Sequence, residues 1–171
     1  TIRTLSGSNL NVSQQLPLDP TSAGFSNIGS TLNISPMLFE RYEKIALQVS
    51  RAMFVRNPKD SGAFKKGSEI LKQSGDGKDF AKVEKALIDF AREAFRRPLD
   101  AVESKEIKDL YVSLTKTLSH SEALMESLRS IMVSPNFIFR TELLGKDKVE
   151  GSLARIDEYA LASRLSYFLW N

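Results

Sequence analysis

From residue 35 onward, apolar residues recur at steps of three and four positions, which is the period of an amphipathic helix. A stretch with this period is expected to bury one face against the rest of the protein. The pattern predicts helices over about 35–56, 61–73, 80–97, 101–118 and 119–134, and a last helix from about 157 to 170. The sequence therefore predicts an all-α fold, an irregular bundle of about six helices.

Two of the predicted helices begin with the spacing of a capping box. Asp100 is followed three positions later by Glu103, and Ser119 is followed in the same way by Glu122. In a capping box each of the two side chains accepts a backbone N–H of the other residue. Both positions are therefore predicted helix starts.

Residues 1–34 do not follow the helical pattern. They are rich in Ser, Thr, Asn and Gln and carry only two charges, so they predict a loop-rich N-terminal arm, which we expect Phe25 and Ile28 to hold against the body. We divide the chain into the end of a small N-terminal domain at 1–56, a connector at 57–78, a helical domain at 79–145 and the truncated start of a following helical domain at 146–171.

Composition excludes several classes of protein. The net charge of +3 comes from 24 basic and 21 acidic residues that are dispersed along the chain, so no nucleic-acid footprint is expected. The longest apolar runs have about four residues, against roughly 20 for a membrane-spanning helix, so no transmembrane span is predicted. The absence of cysteine excludes a disulfide, a thiolate nucleophile and covalent haem attachment within this chain.

No catalytic, cofactor-binding or metal site is predicted. His120 is the single histidine, and we interpret it as a surface residue at a helix start, because a metal site needs several ligands. The segment 62–68 has the glycine spacing of a phosphate loop but lacks its lysine, so we interpret it as a loop or weak helix.

Five arginines stand inside strongly apolar stretches, where a guanidinium must be paired because an unpaired buried charge is costly. One interpretation is structural, with forked hydrogen bonds to carboxylates or helix-end carbonyls; the other is a clamp for an anion or a haem propionate. We favour the structural role and expect the last two of the five to be largely buried. The five are Arg92, Arg96, Arg97, Arg140 and Arg164.

Three longer strings resemble the successive signatures of the planctomycete cytochrome-associated domains of unknown function. They are FAREAFRRPL at 90–99, IMVSPNFIFR at 131–140 and DEYALASRLSYFLW at 157–170. Upstream, GFSNIG at 24–29 and SPMLFERY at 35–42 are similar to the small domain that precedes them, which places residues 1–5 in that domain's first helix.

The resemblance implies context more than activity. Such domains sit in large exported bacterial proteins, often beside a c-type haem domain, so it implies a periplasmic, cell-envelope or extracellular location and a redox-linked assembly. We interpret the chain as a non-catalytic scaffold or interaction segment, without a cofactor of its own, in a parent protein linked to a c-type cytochrome; whether the parent itself carries haem c is left open. The alternative is part of an enzyme that acts on an extracellular polymer, with active residues outside this chain.

The last predicted helix carries its most apolar residues at the end of the sequence. Leaving a large apolar side chain in water costs about 1.5–3 kcal/mol, so we expect the chain to be a fragment whose last turn is covered by the remainder of the parent polypeptide or by another subunit. The interface candidates are Tyr167, Phe168 and Trp170.

Overall fold

The fold was analysed in a computed structural model, which describes residues 2–16, 35–56, 61–139 and 156–170. These residues form helices and no strands, so the predicted all-α fold is confirmed. There are eight helices in the described ranges, two of them too short for the period to reveal. They are α1 (Ile2–Ser6), α2 (Pro36–Phe54), α3 (Ser61–Ser74), α4 (Phe80–Phe95), α5 (Ala101–Leu114), α6 (His120–Val133), α7 (Pro135–Ile138) and α8 (Glu158–Trp170).

The start of the N-terminal arm is more ordered than a loop. Residues 2–6 form α1, and a single turn of 3-10 helix follows at Ser13–Gln15. Leu5 is buried in the core, which explains why a five-residue helix persists: its apolar face packs on the body. Phe25 and Ile28, expected to hold the arm, lie outside the described residues.

Both predicted capping boxes are confirmed. The Asp100 side chain accepts the N–H of Glu103 at 2.8 Å, and the Glu103 carboxylate accepts the N–H of Asp100 at 3.0 Å. Ser119 and Glu122 exchange the equivalent pair of hydrogen bonds at the start of α6. Each box satisfies backbone donors that a helix start otherwise leaves without partners.

One hydrophobic core joins the first part of the chain to the second. Helix α2 packs mainly on α6 and α3, and α4 packs between α3, α5 and α6. Apolar side chains from α1 to α6 form one continuous buried cluster, with α5 contributing only Tyr111 to its fully buried part. The proposed division into domains stays a prediction, although the segments 1–56 and 79–145 share this core.

Helices α2 and α3 cross closely because of a glycine. Gly67 is buried, and a Cβ at this position would overlap the backbone carbonyl of Met53. The segment 62–68, interpreted from sequence as a loop or weak helix, lies inside α3. Gly67 therefore serves close helix packing, which is a common reason for glycine inside a helix.

Candidate functional site

The apolar FAREAFRRPL string brings Arg97 against the start of α5. Helix α4 ends at Phe95, and Arg96 adopts a left-handed conformation (φ 57°) that turns the chain. The two terminal nitrogens of Arg97 then donate to the two carboxylate oxygens of Glu103, at 2.8 and 2.6 Å. Both side chains of this pair are only 15% exposed. The pair is a forked ion pair of the kind that suits arginine.

Asn136 of α7 closes this cluster. It accepts an N–H of Arg97 at 3.2 Å and donates to Glu103 at 2.9 Å. The Arg97 guanidinium also donates to the carbonyl of Pro98 at 3.1 Å. We call Arg97, Glu103 and Asn136 the arginine cluster. It ties the end of α4, the start of α5 and α7 together.

Hydrogen bonding keeps both ions of the cluster charged. The guanidinium of Arg97 lowers the pKa of Glu103 below its ordinary value of 4.5, against the opposing effect of burial. The Glu103 carboxylate in turn raises the pKa of Arg97. Four N–H groups of Arg97 already have protein acceptors, so this side chain is poorly placed to clamp an external anion.

The other predicted arginines do not share this environment. Arg92 lies on the exposed face of α4, with 61% of its side chain accessible and a 3.4 Å pair to Asp89. Arg96 is half-buried at the helix end. Arg164 is exposed on α8, so the expectation that it is largely buried is wrong. The reason is that α8 makes few contacts with the other helices, which leaves this residue in solvent. Arg140 lies outside the described residues.

His120 is not a free surface histidine, which corrects the sequence interpretation. It is half-buried, its Nδ1 lies 2.7 Å from the hydroxyl of Tyr111, and its Nε2 lies 3.1 Å from the hydroxyl of Ser74. A Cβ at Gly77 would stand 2.7 Å from the ring, so this glycine makes room for it. Ser74 is fully buried and donates to the Leu71 carbonyl.

These hydrogen bonds form a chain across three helices. The two ring nitrogens of His120 link the hydroxyl of Tyr111 to that of Ser74, and Ser74 donates to the Leu71 carbonyl. The arrangement resembles a serine–histidine relay, but the serine is sealed from solvent. Its chemistry is therefore structural: it joins α3, α5 and α6.

Helix α8 presents an apolar stripe to solvent. Its exposed residues at helical spacing are Leu161, Leu165, Phe168 and Leu169, with Phe168 84% exposed. The opposite face carries Ala160 and Ser163, which are partly buried, and also Tyr159, which is 51% exposed. We call the four exposed residues the α8 stripe. Of the three interface candidates, the side chains of Tyr167 and Trp170 lie outside what the structure describes.

A cavity of about 140 Å³ opens between α5 and α6 beside the arginine cluster. Glu106, Ile107 and Leu110 line it from α5, and Ser127 and Ser130 line it from α6. The cavity thus combines an apolar floor with several oxygen atoms. Across the described ranges, no group of three or more His, Asp or Glu side chains could hold a metal ion.

Comparison with protein families finds matches to two parts of the chain. Two family models match. Residues 1–55 match PSD3, protein of unknown function (DUF1587), and residues 82–142 match PSD5, protein of unknown function (DUF1595). No curated protein and no solved structure matches the chain. The PSD5 match holds the whole arginine cluster, the cavity and His120, whereas α8 follows it.

Sequence reasoning missed the residues that complete these sites. Glu103 was recognised as a capping residue, but its second role as the partner of Arg97 depends on the left-handed turn at Arg96. Tyr111 and Ser74 carry no local signal of their contact with His120, because they lie 9 and 46 positions away.

In the part of the chain that the structure describes, no helix is long and apolar enough to cross a bilayer.

Proposed function

We propose that this chain is a non-catalytic helical scaffold that docks onto a further helix through the α8 stripe. The observation that carries the proposal is the exposure of α8: Leu161, Leu165, Phe168 and Leu169 face solvent, whereas the small residues Ala160 and Ser163 are partly buried. A surface helix of a globular protein ordinarily has the reverse orientation. A contiguous exposed apolar patch of this kind marks an interaction surface.

The spacing of the stripe fits a helical partner. Leu161, Leu165 and Phe168 follow one another at four- and three-residue steps, the spacing by which an amphipathic helix lies in an apolar groove. Each large apolar side chain that becomes covered contributes about 1.5–3 kcal/mol. The partner we propose is a helix with an apolar face, from the remainder of the parent polypeptide or from another subunit.

We further propose that the parent is an extracytoplasmic bacterial protein linked to a c-type cytochrome, in which this scaffold holds neighbouring domains of an electron-transfer assembly. Two observations support this context. Segments of the chain match PSD3 and PSD5, and the strings at 90–99, 131–140 and 157–170 resemble the cytochrome-associated domains in order and spacing.

Site-specific crosslinking in the full-length parent tests the docking role. A photo-crosslinking residue at Phe168 should give crosslinks that map to one apolar helical segment, because the stripe is covered by it. The matched control is the same crosslinker at the exposed polar residue Ser166 on another face of α8, which should give little product. Equal yields at both positions, or crosslinks scattered over many segments, would contradict docking.

Two further measurements separate the parts of the proposal. The double substitution Leu165→Glu and Phe168→Glu should abolish binding between α8 and the crosslinked segment. The helical circular dichroism signal of the protein should persist, because both residues are exposed. A Soret band and covalent haem in the purified full-length parent test the cytochrome link. A parent without haem would overturn that link and leave the docking result standing.

A further inference from the structure

The two family matches meet in one continuous apolar contact. Helix α2, from the PSD3 match, has its most extensive contact with α6, from the PSD5 match, and its second with α3, which lies between the two matches. Ile45, Val49 and Met53 of α2 follow one another at four-residue steps and are buried. The same buried cluster includes Leu124 and Leu128 of α6. The boundary between the two matches therefore runs through the hydrophobic core.

The described part of the PSD3 match has no core of its own. Helix α1 has five residues, and it contacts α3 and α4 at least as much as it contacts α2. The buried face of α2 packs on α6 and α3. Most of the stability of a helix in a protein comes from packing of its apolar face, and isolated helices of such lengths are marginal in water. The described helices of the PSD3 match therefore depend on the second half of the chain.

Two polar or steric features make the fit between the halves specific. Arg129 of α6 donates to the Glu43 carboxylate of α2 at 3.0 Å, and it also pairs with Glu126 of its own helix at 2.9 Å. A Cβ at Gly67 of α3 would overlap the carbonyl of Met53, so glycine allows α2 to lie this close. The face built by α3 and α6 thus suits a helix that carries an apolar stripe and an acidic side chain beside it.

We infer that the PSD3 and PSD5 matches are two halves of one folding unit, in which the face of α3 and α6 is a binding surface for the PSD3 helix. The partner that fits this surface is an amphipathic helix with an acidic residue at the position of Glu43. Burial of apolar surface supplies most of the affinity, and the partly exposed pair of Arg129 and Glu43 supplies selectivity. The inference does not depend on the α8 stripe or on the proposed docking.

A chain that is cut between the two halves tests the inference. A protease recognition sequence inserted between residues 57 and 60, which belong to neither match, allows the folded 171-residue chain to be cleaved. The two pieces should remain associated in size-exclusion chromatography, with a dissociation constant below about 1 µM. They should lose their helical circular dichroism together in urea, in one transition. Pieces that separate while the larger one keeps a cooperative melting transition would overturn the inference.

Two valines provide a matched pair of variants for the cut chain. Val49 is fully buried in the contact, whereas Val55, which caps the end of α2, is 61% exposed. Val49→Asp places a carboxylate in the apolar contact and should raise the dissociation constant of the two pieces at least about 100-fold. Val55→Asp should change it less than about twofold. Equal dissociation constants for the two variants would contradict the assigned surface.

Two further measurements apply even where Val49→Asp fails to fold. Arg129→Ala should raise the dissociation constant about three- to tenfold, whereas Arg92→Ala, whose ion pair lies within α4, should leave it unchanged. In the uncut chain, the backbone amides of α2 and α6 should exchange their hydrogens with similar protection, as expected of one cooperative unit. Protection more than about tenfold lower throughout α2 than in α6 would show that α2 opens alone, and would overturn the inference.

Discussion

Five arginines were singled out from the sequence, and the structure describes the surroundings of four of them. Among these four, removal of the Arg97 side chain should destabilise the fold the most. The Glu103 side chain is only 15% exposed, and Arg97→Ala removes the guanidinium that pairs with both of its oxygens. The same change removes an N–H donor from the side-chain oxygen of Asn136. Breaking a fully buried ion pair costs about 3–5 kcal/mol, and an exposed pair contributes about 0–1 kcal/mol. The intermediate burial of this pair gives an expected loss of about 2–3 kcal/mol.

Thermal and urea unfolding of the 171-residue chain measure this loss. A decrease of about 2–3 kcal/mol lowers the melting temperature of a domain of this size by about 5–10 °C. Arg97→Lys should recover only part of it, since an ammonium cannot donate to both carboxylate oxygens in one plane. The matched control is Arg92→Ala, whose pair with Asp89 is exposed and whose loss should stay within about 0.5 kcal/mol.

A double-mutant cycle isolates the pair from other effects of each change. Glu103→Gln retains an acceptor for the backbone N–H of Asp100, so the capping box persists while the negative charge is removed. The coupling energy between Arg97→Ala and Glu103→Gln should be about 2 kcal/mol. Coupling below about 0.5 kcal/mol, or an Arg97→Ala variant that melts like Arg92→Ala, would refute the assignment of the arginine cluster as a stabilising element.

Three further predictions follow from the described contacts. The guanidinium of Arg97 holds the pKa of Glu103 below its ordinary 4.5, so the unfolded chain binds this proton more tightly than the folded one. The stabilisation by the pair is therefore present above about pH 4.5 and is lost as the pH falls through the lowered pKa. In urea unfolding between about pH 5 and 3, the free energy of unfolding of Glu103→Gln should lack this dependence on pH. Tyr111→Phe removes the hydroxyl that lies 2.7 Å from His120 and should cost about 1–2 kcal/mol in thermal unfolding, whereas an unchanged melting temperature would mean that the chain of hydrogen bonds does not stabilise the fold. Gly67→Ala places a methyl group against the Met53 carbonyl and should cost at least about 2 kcal/mol by the same assay; a neutral effect would show that α2 and α3 separate freely.

Much of the helical framework could be predicted from sequence because helix starts and apolar periods are local signals. The capping boxes at Asp100 and Ser119 lie within four residues, so their hydrogen bonds need no tertiary information. The apolar period did not reveal helix α1, because five residues are too few to display it. The family resemblance, however, placed residues 1–5 in a helix, as the structure has it, with Leu5 buried in the core.

The contacts of the candidate sites depend on geometry that no local pattern contains. The sequence predicted a carboxylate or helix-end carbonyl as the partner of Arg97 without identifying it, because the left-handed residue Arg96 is needed to turn Arg97 toward Glu103. The same limit applies to His120, whose partners come from two other helices. The cavity likewise needs α5 and α6 side by side before Glu106 and Ser130 share one space.

The first turn of α8 is capped by Asp157. Asp157 accepts the N–H of Ala160 at 2.7 Å, and its negative charge is the weakest of the causes that raise the pKa of Arg97, after those of Glu103 and Asp100. The start of α8 therefore lies near the arginine cluster, and Ala160 in its first turn is partly buried. Because a helix is rigid over its 13 residues, the direction set at its start also directs the α8 stripe outward. The arginine cluster therefore joins α4, α5 and α7 and lies near the start of the helix that carries the surface we propose for docking.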